Sequence, residues 1–166
     1  MDAFCICPNF TELPGYCLGE YSLQFDENHN SRRPRVILIA EGHDALQASL
    51  KDLVITELPD TRVMTVRSGK EAVKLCLASR PSAVILDVDL PELNGVEATR
   101  KIHDSQPDTP IILIHEEGSA EYRISAITAG ARGYVTKQRI AVELVPVLKM
   151  MLIPGSRKDQ RKGVLE

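Results

Sequence analysis

The sequence predicts an α/β fold, a three-layer sandwich in which helices cover both faces of a five-stranded, parallel, doubly wound sheet. Short apolar runs alternate along the chain with segments of helical periodicity, and this alternation occurs five times. Runs as apolar as residues 36–40 indicate strands that are buried on both faces. Because right-handed helical crossovers join such strands, the predicted sheet is parallel and doubly wound.

The five predicted strands are aliphatic and short, and they cover residues 36–40, 62–66, 83–86, 110–114 and 133–135. The predicted helices carry apolar residues at helical spacing and cover residues 44–54, a segment that starts at Ser68, and residues 94–105, 119–129 and 140–152. Ser68 and Glu71 form a capping box at the start of the second helix. Gly130 is predicted to end the fourth helix, and Pro146 lies within the last one, where proline can bend the helix.

The chain is predicted to contain one domain with an extension at each end. Residues 1–34 show no sustained periodicity and are interpreted as an irregular extension that ends in a polar linker. Residues 35–153 form the predicted domain, and residues 154–166 a polar, disordered tail. Cys5, Cys7 and Cys17 lie in the extension, and their spacing matches no established zinc pattern, so free thiols are expected, with a metal site as the alternative.

Composition excludes several classes of protein. The formal net charge is −3 and the pI about 5.8, so no overall positive field attracts nucleic acid or an anionic membrane. No apolar run approaches the roughly 20 residues that span a bilayer, and the first residues do not resemble a secretory signal. A cytoplasmic location is therefore expected.

Polar residues follow the predicted strands at the edge where a doubly wound sheet binds its ligands. These residues are Glu41, Asp87, Asp89, His115 and Lys137. Asp44 is expected to be the N-cap of the first helix, and Glu116 and Glu117 to cap or flank the fourth. No Gly-rich phosphate loop follows the first strand, which disfavours the common kinds of nucleotide binding and leaves no cofactor fingerprint of an enzyme.

Acids beside a lysine suggest a hard cation and a phosphoryl group. Magnesium binds one or two carboxylates and keeps several waters. A carboxylate can act as a nucleophile and form an aspartyl phosphate, a transfer that requires positioning and charge neutralisation above all.

Two segments carry a resemblance to a known family. Residues 86–95 place Asp87 at the end of the third strand, Pro91 four residues later and Gly95 before the next helix. Residues 129–137 read AGARGYVTK and contain Tyr134 and Lys137. Both segments resemble the response-regulator receiver family, which has a flavodoxin-like fold, and the resemblance covers roughly residues 35–152.

The resemblance implies a role for each site residue. Asp87 would be the phosphoacceptor, Lys137 would contact the phosphoryl group, and Tyr134 would be the rotating aromatic of the switch. Magnesium would bind weakly to Glu41, Asp87 and the backbone carbonyl of Asp89.

Three positions depart from the family pattern. Gly42 occupies the position of the second metal-binding acid, His115 that of the switch threonine or serine, and Gln138 that of the proline after the lysine. The first departure removes a carboxylate from the metal site. The second replaces a small hydroxyl by a ring.

Each site residue also has a structural alternative. Asp87 would then only cap the loop into the next helix, Lys137 would be a surface lysine, and Glu41 a solvated acid at the edge of the sheet. His115, when protonated, could bind a cation or a phosphoryl group, and the alternative is a structural ring that blocks the switch.

The expected function is that of a stand-alone receiver in a phosphorelay and not of an enzyme. A histidine kinase or phosphotransfer protein would phosphorylate Asp87. Residues 130–134 most resemble receivers that usually precede a helix-turn-helix domain, but no DNA-binding domain is expected to follow here. Output would therefore pass through protein contacts or self-association at the fourth helix, fifth strand and fifth helix. The alternative is a pseudo-receiver, a protein-binding module regulated without phosphate.

Overall fold

The structure is a computed structural model, and it describes residues 34–116 and 120–153. The predictions for the N-terminal extension, its cysteines, Glu117 and the C-terminal tail lie outside these residues. Within the described part of the chain, no helix is both long and apolar enough to cross a membrane.

Five parallel strands form one sheet. They are β1 (Arg35–Ala40), β2 (Thr61–Val66), β3 (Ala83–Asp87), β4 (Ile111–His115) and β5 (Gly133–Thr136). Their order in the sheet is β2-β1-β3-β4-β5, and every neighbouring pair is parallel. The predicted doubly wound sheet is therefore confirmed.

Helices cover both faces of this sheet. They are α1 (Asp44–Glu57), α2 (Gly69–Ser79), α3 (Gly95–Ser105), α4 (Ala120–Thr128) and α5 (Ile140–Leu152), with a 3-10 turn at Lys137–Arg139 before α5. All five predicted helices are confirmed, and α5 contains Pro146. Asp87 is the last residue of β3, as the resemblance implies, and β4 ends at His115, one residue later than predicted.

Two apolar cores lie on opposite faces of the sheet. Successive strand residues point to opposite faces, so Leu38 of β1 packs in the core under α2 and α3, whereas Ile37 and Ile39 pack in the core under α1 and α5. The buried residues of both cores are almost all aliphatic. This packing on both faces of the sheet positions the carboxyl ends of the strands, and the side chains there, relative to one another.

Helix ends follow the expected chemistry with one exception. The Ser68 hydroxyl accepts the Glu71 N–H at 3.2 Å, while the Glu71 carboxylate accepts the N–H of Arg67 at 3.1 Å. The N-cap prediction for Asp44 is wrong. His43 is the N-cap of α1, and Asp44 lies in the first turn, where it pairs with Arg67.

Gly130 has the conformation that the prediction requires. Its φ is +99°, a left-handed value that glycine adopts without strain. A Cβ at this position would also lie 2.4 Å from the imidazole of His103. The turn between α4 and β5 therefore depends on glycine for two reasons, and β5 enters the sheet directly after it.

Candidate functional site

The carboxyl edge of the sheet brings together residues that are far apart in the sequence. β3 lies between β1 and β4, and β5 is next to β4. Glu41 follows β1, Asp87 ends β3, and Lys137 follows β5. The chain crosses to opposite sides of the sheet from β1 and β3, so a cleft opens at this edge.

Asp87 lies at the centre of this cleft with only 1% of its surface exposed. Its Oδ2 accepts a hydrogen bond from Lys137 Nζ at 2.8 Å, and its Oδ1 accepts a longer one from the Asp89 N–H at 3.3 Å. The side chain is therefore held at one oxygen by an ammonium group, while the other oxygen has a weaker partner.

Gly95 allows α3 to start immediately behind Asp87. A Cβ at Gly95 would lie 2.1 Å from the carbonyl oxygen of Asp87, so only glycine fits. The Gly95 N–H donates to the Val88 carbonyl at 2.9 Å, which closes the loop after β3. The loop includes Glu92 at a φ of 64°, a value that is uncommon for a residue other than glycine.

Lys137 interacts with three carboxylates. Its Nζ lies 2.8 Å from Asp87, 3.5 Å from Glu116 and 3.9 Å from Glu41. Burial by itself lowers the pKa of Lys137, but the hydrogen bond and charge of Asp87 and the charges of Glu41 and Glu116 outweigh it, so the pKa is raised. The ammonium group is therefore charged at neutral pH and faces the site.

Glu41 is a buried acid beside Asp87. Its Oε1 accepts hydrogen bonds from the His43 backbone N–H at 2.9 Å and pairs with His43 Nδ1 at 3.2 Å. Burial raises the pKa of Glu41, the bonds from His43 oppose this, and the Asp87 charge adds to the rise, so the pKa lies above its ordinary value. Gln47 holds the end of β1 next to β2, because its side-chain amide donates to the carbonyls of Glu41 and Val66.

Three possible metal ligands converge on this edge of the sheet. One ligand atom each from Glu41, His43 and Asp87 lies within 4.8 Å of the other two. Two carboxylates fit the demand of a hard cation such as magnesium, which completes its shell with water. Gly42 supplies no side chain, although a Cβ there would have ordinary contacts, the nearest with Pro91 Cδ at 3.8 Å.

His115 is buried at the end of β4 and contacts an aromatic ring of α4. Its ring centroid lies 4.2 Å from that of Tyr122, and its Nε2 lies 3.9 Å from an Asp89 carboxylate oxygen. Tyr134 is half-buried on β5 against the core under α2, α3 and α4. Burial, with a contribution from Tyr122, raises the pKa of the Tyr134 phenol.

The structure places the predicted residues at one edge and adds two that were not assigned to the site. His43, for which no role was predicted, is among the possible metal ligands, and Glu116, which was expected to cap or flank α4, contacts Lys137. Glu116 lies one residue beyond the end of β4, and His43 lies three residues beyond the end of β1. Closeness to a strand end was the available signal, but it does not give the direction of a side chain.

The comparison with protein families is consistent with this geometry. Residues 37–149 match the family described as "Response regulator receiver domain". The chain is 29% identical over 119 residues to the transcriptional regulatory protein PrrA of Mycobacterium tuberculosis, which covers 72% of this chain and 50% of PrrA. It is 32% identical over 125 residues to the DNA-binding transcriptional activator DevR/DosR of the same organism, which covers 75% of this chain and 58% of that protein. The chain thus spans about half the length of the curated relatives that it matches.

A solved structure agrees in both fold and extent. The receiver domain of the sensor histidine kinase PA1611 from Pseudomonas aeruginosa, solved with a magnesium ion in its active site cleft, has a TM-score of 0.65 and 27% identity. The match covers 71% of this chain and 97% of that domain. With a five-stranded sheet in the order β2-β1-β3-β4-β5 and a family match over residues 37–149, this chain belongs to the response regulator receiver domain family.

Proposed function

We propose that this chain is a cytoplasmic signalling receiver that accepts a phosphoryl group on Asp87 from a phosphohistidine of a histidine kinase or phosphotransfer protein. The observation that carries the proposal is the pair formed by Asp87 and Lys137, 2.8 Å apart in a cleft at the carboxyl edge of the sheet. An acid held next to a single ammonium group is suited to receiving a charged phosphoryl group.

The transfer assigns different tasks to the two oxygens of Asp87. Lys137 holds Oδ2, whereas Oδ1 has only the 3.3 Å bond from the Asp89 N–H, so Oδ1 is the more available nucleophile. It attacks phosphorus and forms the P–O bond while the P–N bond of the phosphohistidine breaks. The electron pair of that bond stays with the imidazole nitrogen of the donor. Lys137 offsets the negative charge of the phosphoryl oxygens.

Magnesium belongs to this proposal as a weakly held ion. Glu41, Asp87 and the backbone carbonyl of Asp89 would hold it, and it would neutralise charge on the phosphoryl oxygens when bound. The related PA1611 receiver has magnesium in its cleft. Gly42 leaves this chain with one carboxylate fewer than the family pattern, which supports a low affinity.

The test is covalent labelling by a small phosphodonor. The full chain is incubated with acetyl phosphate and magnesium, and its intact mass is measured. We expect a gain of one phosphoryl group in the wild type and none in Asp87→Asn. Asp108→Asn, an exposed acid near the opposite edge of the sheet, is the control and should be labelled normally. Equal labelling of Asp87→Asn and wild type would refute the assignment of the phosphoacceptor.

A pseudo-receiver is the second candidate, and two observations favour it. Gly42 removes a metal ligand, and His115 fills the position of the switch hydroxyl with a ring that contacts Tyr122. Output would then pass through the face formed by α4, β5 and α5, which we call the output face. Ile124 and Ile127 on α4 and Val142 on α5 are exposed apolar residues of these helices.

The two candidates predict different behaviour of the output face. If the face is a constant binding surface, self-association measured by sedimentation should be the same with and without beryllofluoride, a phosphoryl mimic. If the chain is a phosphorylation switch, the mimic should change either the self-association or the amide chemical shifts of the face. Binding of the mimic is first confirmed by fluorine NMR.

A further inference from the structure

Gly42 provides no carboxylate at the second metal-binding position, but the next residue, His43, carries an imidazole. We propose that Glu41, His43 and Asp87 form a site for a late first-row divalent transition-metal ion, represented by Zn²⁺, and that His43 makes the site prefer such an ion to Mg²⁺. This inference concerns the same cleft as the proposed function, but it requires no phosphoryl transfer.

The spacing of the ligand atoms fits a small metal ion. Glu41 Oε1 and His43 Nδ1 are 3.2 Å apart. Two ligands at about 2.0–2.1 Å from a tetrahedral zinc ion are separated by about 3.3 Å. The imidazole can therefore exchange its contact with Glu41 for a bond to a shared ion with little movement. A carboxylate oxygen of Asp87 lies within 4.8 Å of a ligand atom of each of the other two residues.

Glu41 provides an independent observation. The residue is 1% exposed, and its Oε2 is a buried oxygen that accepts no hydrogen bond from any described residue. The nearest cation is Lys137 Nζ at 3.9 Å, and that group already donates to Asp87 at 2.8 Å. A buried carboxylate oxygen without a donor is costly, and a metal ion that binds both carboxylate oxygens of Glu41 would satisfy it.

The donor set decides which ion is preferred. Imidazole nitrogen is a good ligand for zinc, copper, nickel and iron, whereas magnesium prefers oxygen ligands and retains water. His43 therefore strengthens the binding of a transition-metal ion and contributes little to that of magnesium. The His43 side chain is 79% exposed and makes no capping hydrogen bond to α1, so its replacement should not disturb the fold.

The test compares the affinities of Zn²⁺ and Mg²⁺ by isothermal titration calorimetry. The full chain is used with the substitutions Cys5→Ser, Cys7→Ser and Cys17→Ser, so that these thiols cannot compete for zinc. We expect His43→Ala to weaken Zn²⁺ binding by about tenfold or more and Mg²⁺ binding by less than about twofold. Asp44→Asn is the matched control, because it removes an exposed charge beside His43 and should leave the ratio of the two affinities unchanged.

NMR of the His43 ring is a second readout, and it shows whether this residue binds the ion. Addition of Zn²⁺ should shift the ring nitrogen signals of His43 in NMR spectra. Unchanged zinc affinity in His43→Ala, equal losses for both ions, or an unshifted ring would each overturn the inference. Because phosphorylation of Asp87 is measured separately with magnesium, a failure of that assay would leave this result standing, and a failure here would leave phosphorylation standing.

Discussion

The pair formed by Lys137 and Asp87 offers a quantitative test of the site. The Lys137 side chain is 11% exposed and that of Asp87 is 1% exposed, and Glu41 beside them is equally buried. Replacing Lys137 by methionine keeps the aliphatic stem and removes the charge. Two buried carboxylates are then left without a close cation, and the fold should lose stability.

The size of the loss follows from burial. Removing one partner of a buried ion pair costs about 3–5 kcal/mol, and because Lys137 keeps 11% of its side chain exposed we expect about 3 kcal/mol, the lower end of this range, for Lys137→Met. The double variant Lys137→Met, Asp87→Asn contains no stranded charge at this pair, so it should lie within about 1 kcal/mol of the wild type. The single variant Asp87→Asn completes the cycle, and it should also lose stability because it leaves the Lys137 ammonium without its closest carboxylate. The coupling energy between the two positions is then about 2 kcal/mol or more.

Urea unfolding without metal measures these differences. With a slope of about 1.5 kcal/mol per molar urea, Lys137→Met should lower the midpoint by about 2 M. Lys149→Met is the matched control, because Lys149 pairs with Glu57 at 3.0 Å on the surface, where the side chains are 49% and 45% exposed. That pair should contribute less than about 1 kcal/mol. If the Lys137 variant loses no more than this control, or if the double variant shows additive losses, the account of a buried ion pair is refuted.

Three further predictions test neighbouring positions. Gly42→Asp should raise magnesium affinity by about tenfold in a titration, because a carboxylate fits there without a clash and adds a ligand; equal affinities would mean that another group already supplies it. His115→Thr should enlarge the amide shifts that beryllofluoride causes around Tyr134, because it removes the ring packed on α4; large shifts in the wild type would refute the hypothesis that the His115 ring blocks the switch. Burial raises the pKa of Glu41 above its ordinary value of 4.5, so the folded state holds this proton more tightly than the unfolded state. The stability of the wild type relative to Glu41→Gln should therefore fall as the pH rises from below 4.5 through the folded pKa. Unfolding curves at several pH values in metal-free buffer measure this difference, and a difference in free energy of unfolding that does not change with pH would contradict the prediction.

Much of the fold could be read from local patterns. Buried strands in a parallel sheet are nearly continuous aliphatic runs, so the segments of β1, β3 and β4 were visible without any structure. Ser68 and Gly130 marked helix ends because capping chemistry depends on neighbouring residues. The N-cap of α1 was misassigned to Asp44, since several polar residues follow β1 and only the backbone decides which one is half inside the helix.

The sequence by itself determined which residues stand at the carboxyl edge of the sheet, because each of them ends or follows a strand. The tertiary structure alone decided which of these residues touch. Lys137 meets Asp87 across 50 positions of the chain only because β3, β4 and β5 are neighbours in that order. Likewise, His43 turns toward Glu41, and Glu116 toward Lys137, through side-chain directions set by the packing of loops on strands. Such distances depend on contacts between separate elements, and no local pattern in the sequence specifies them.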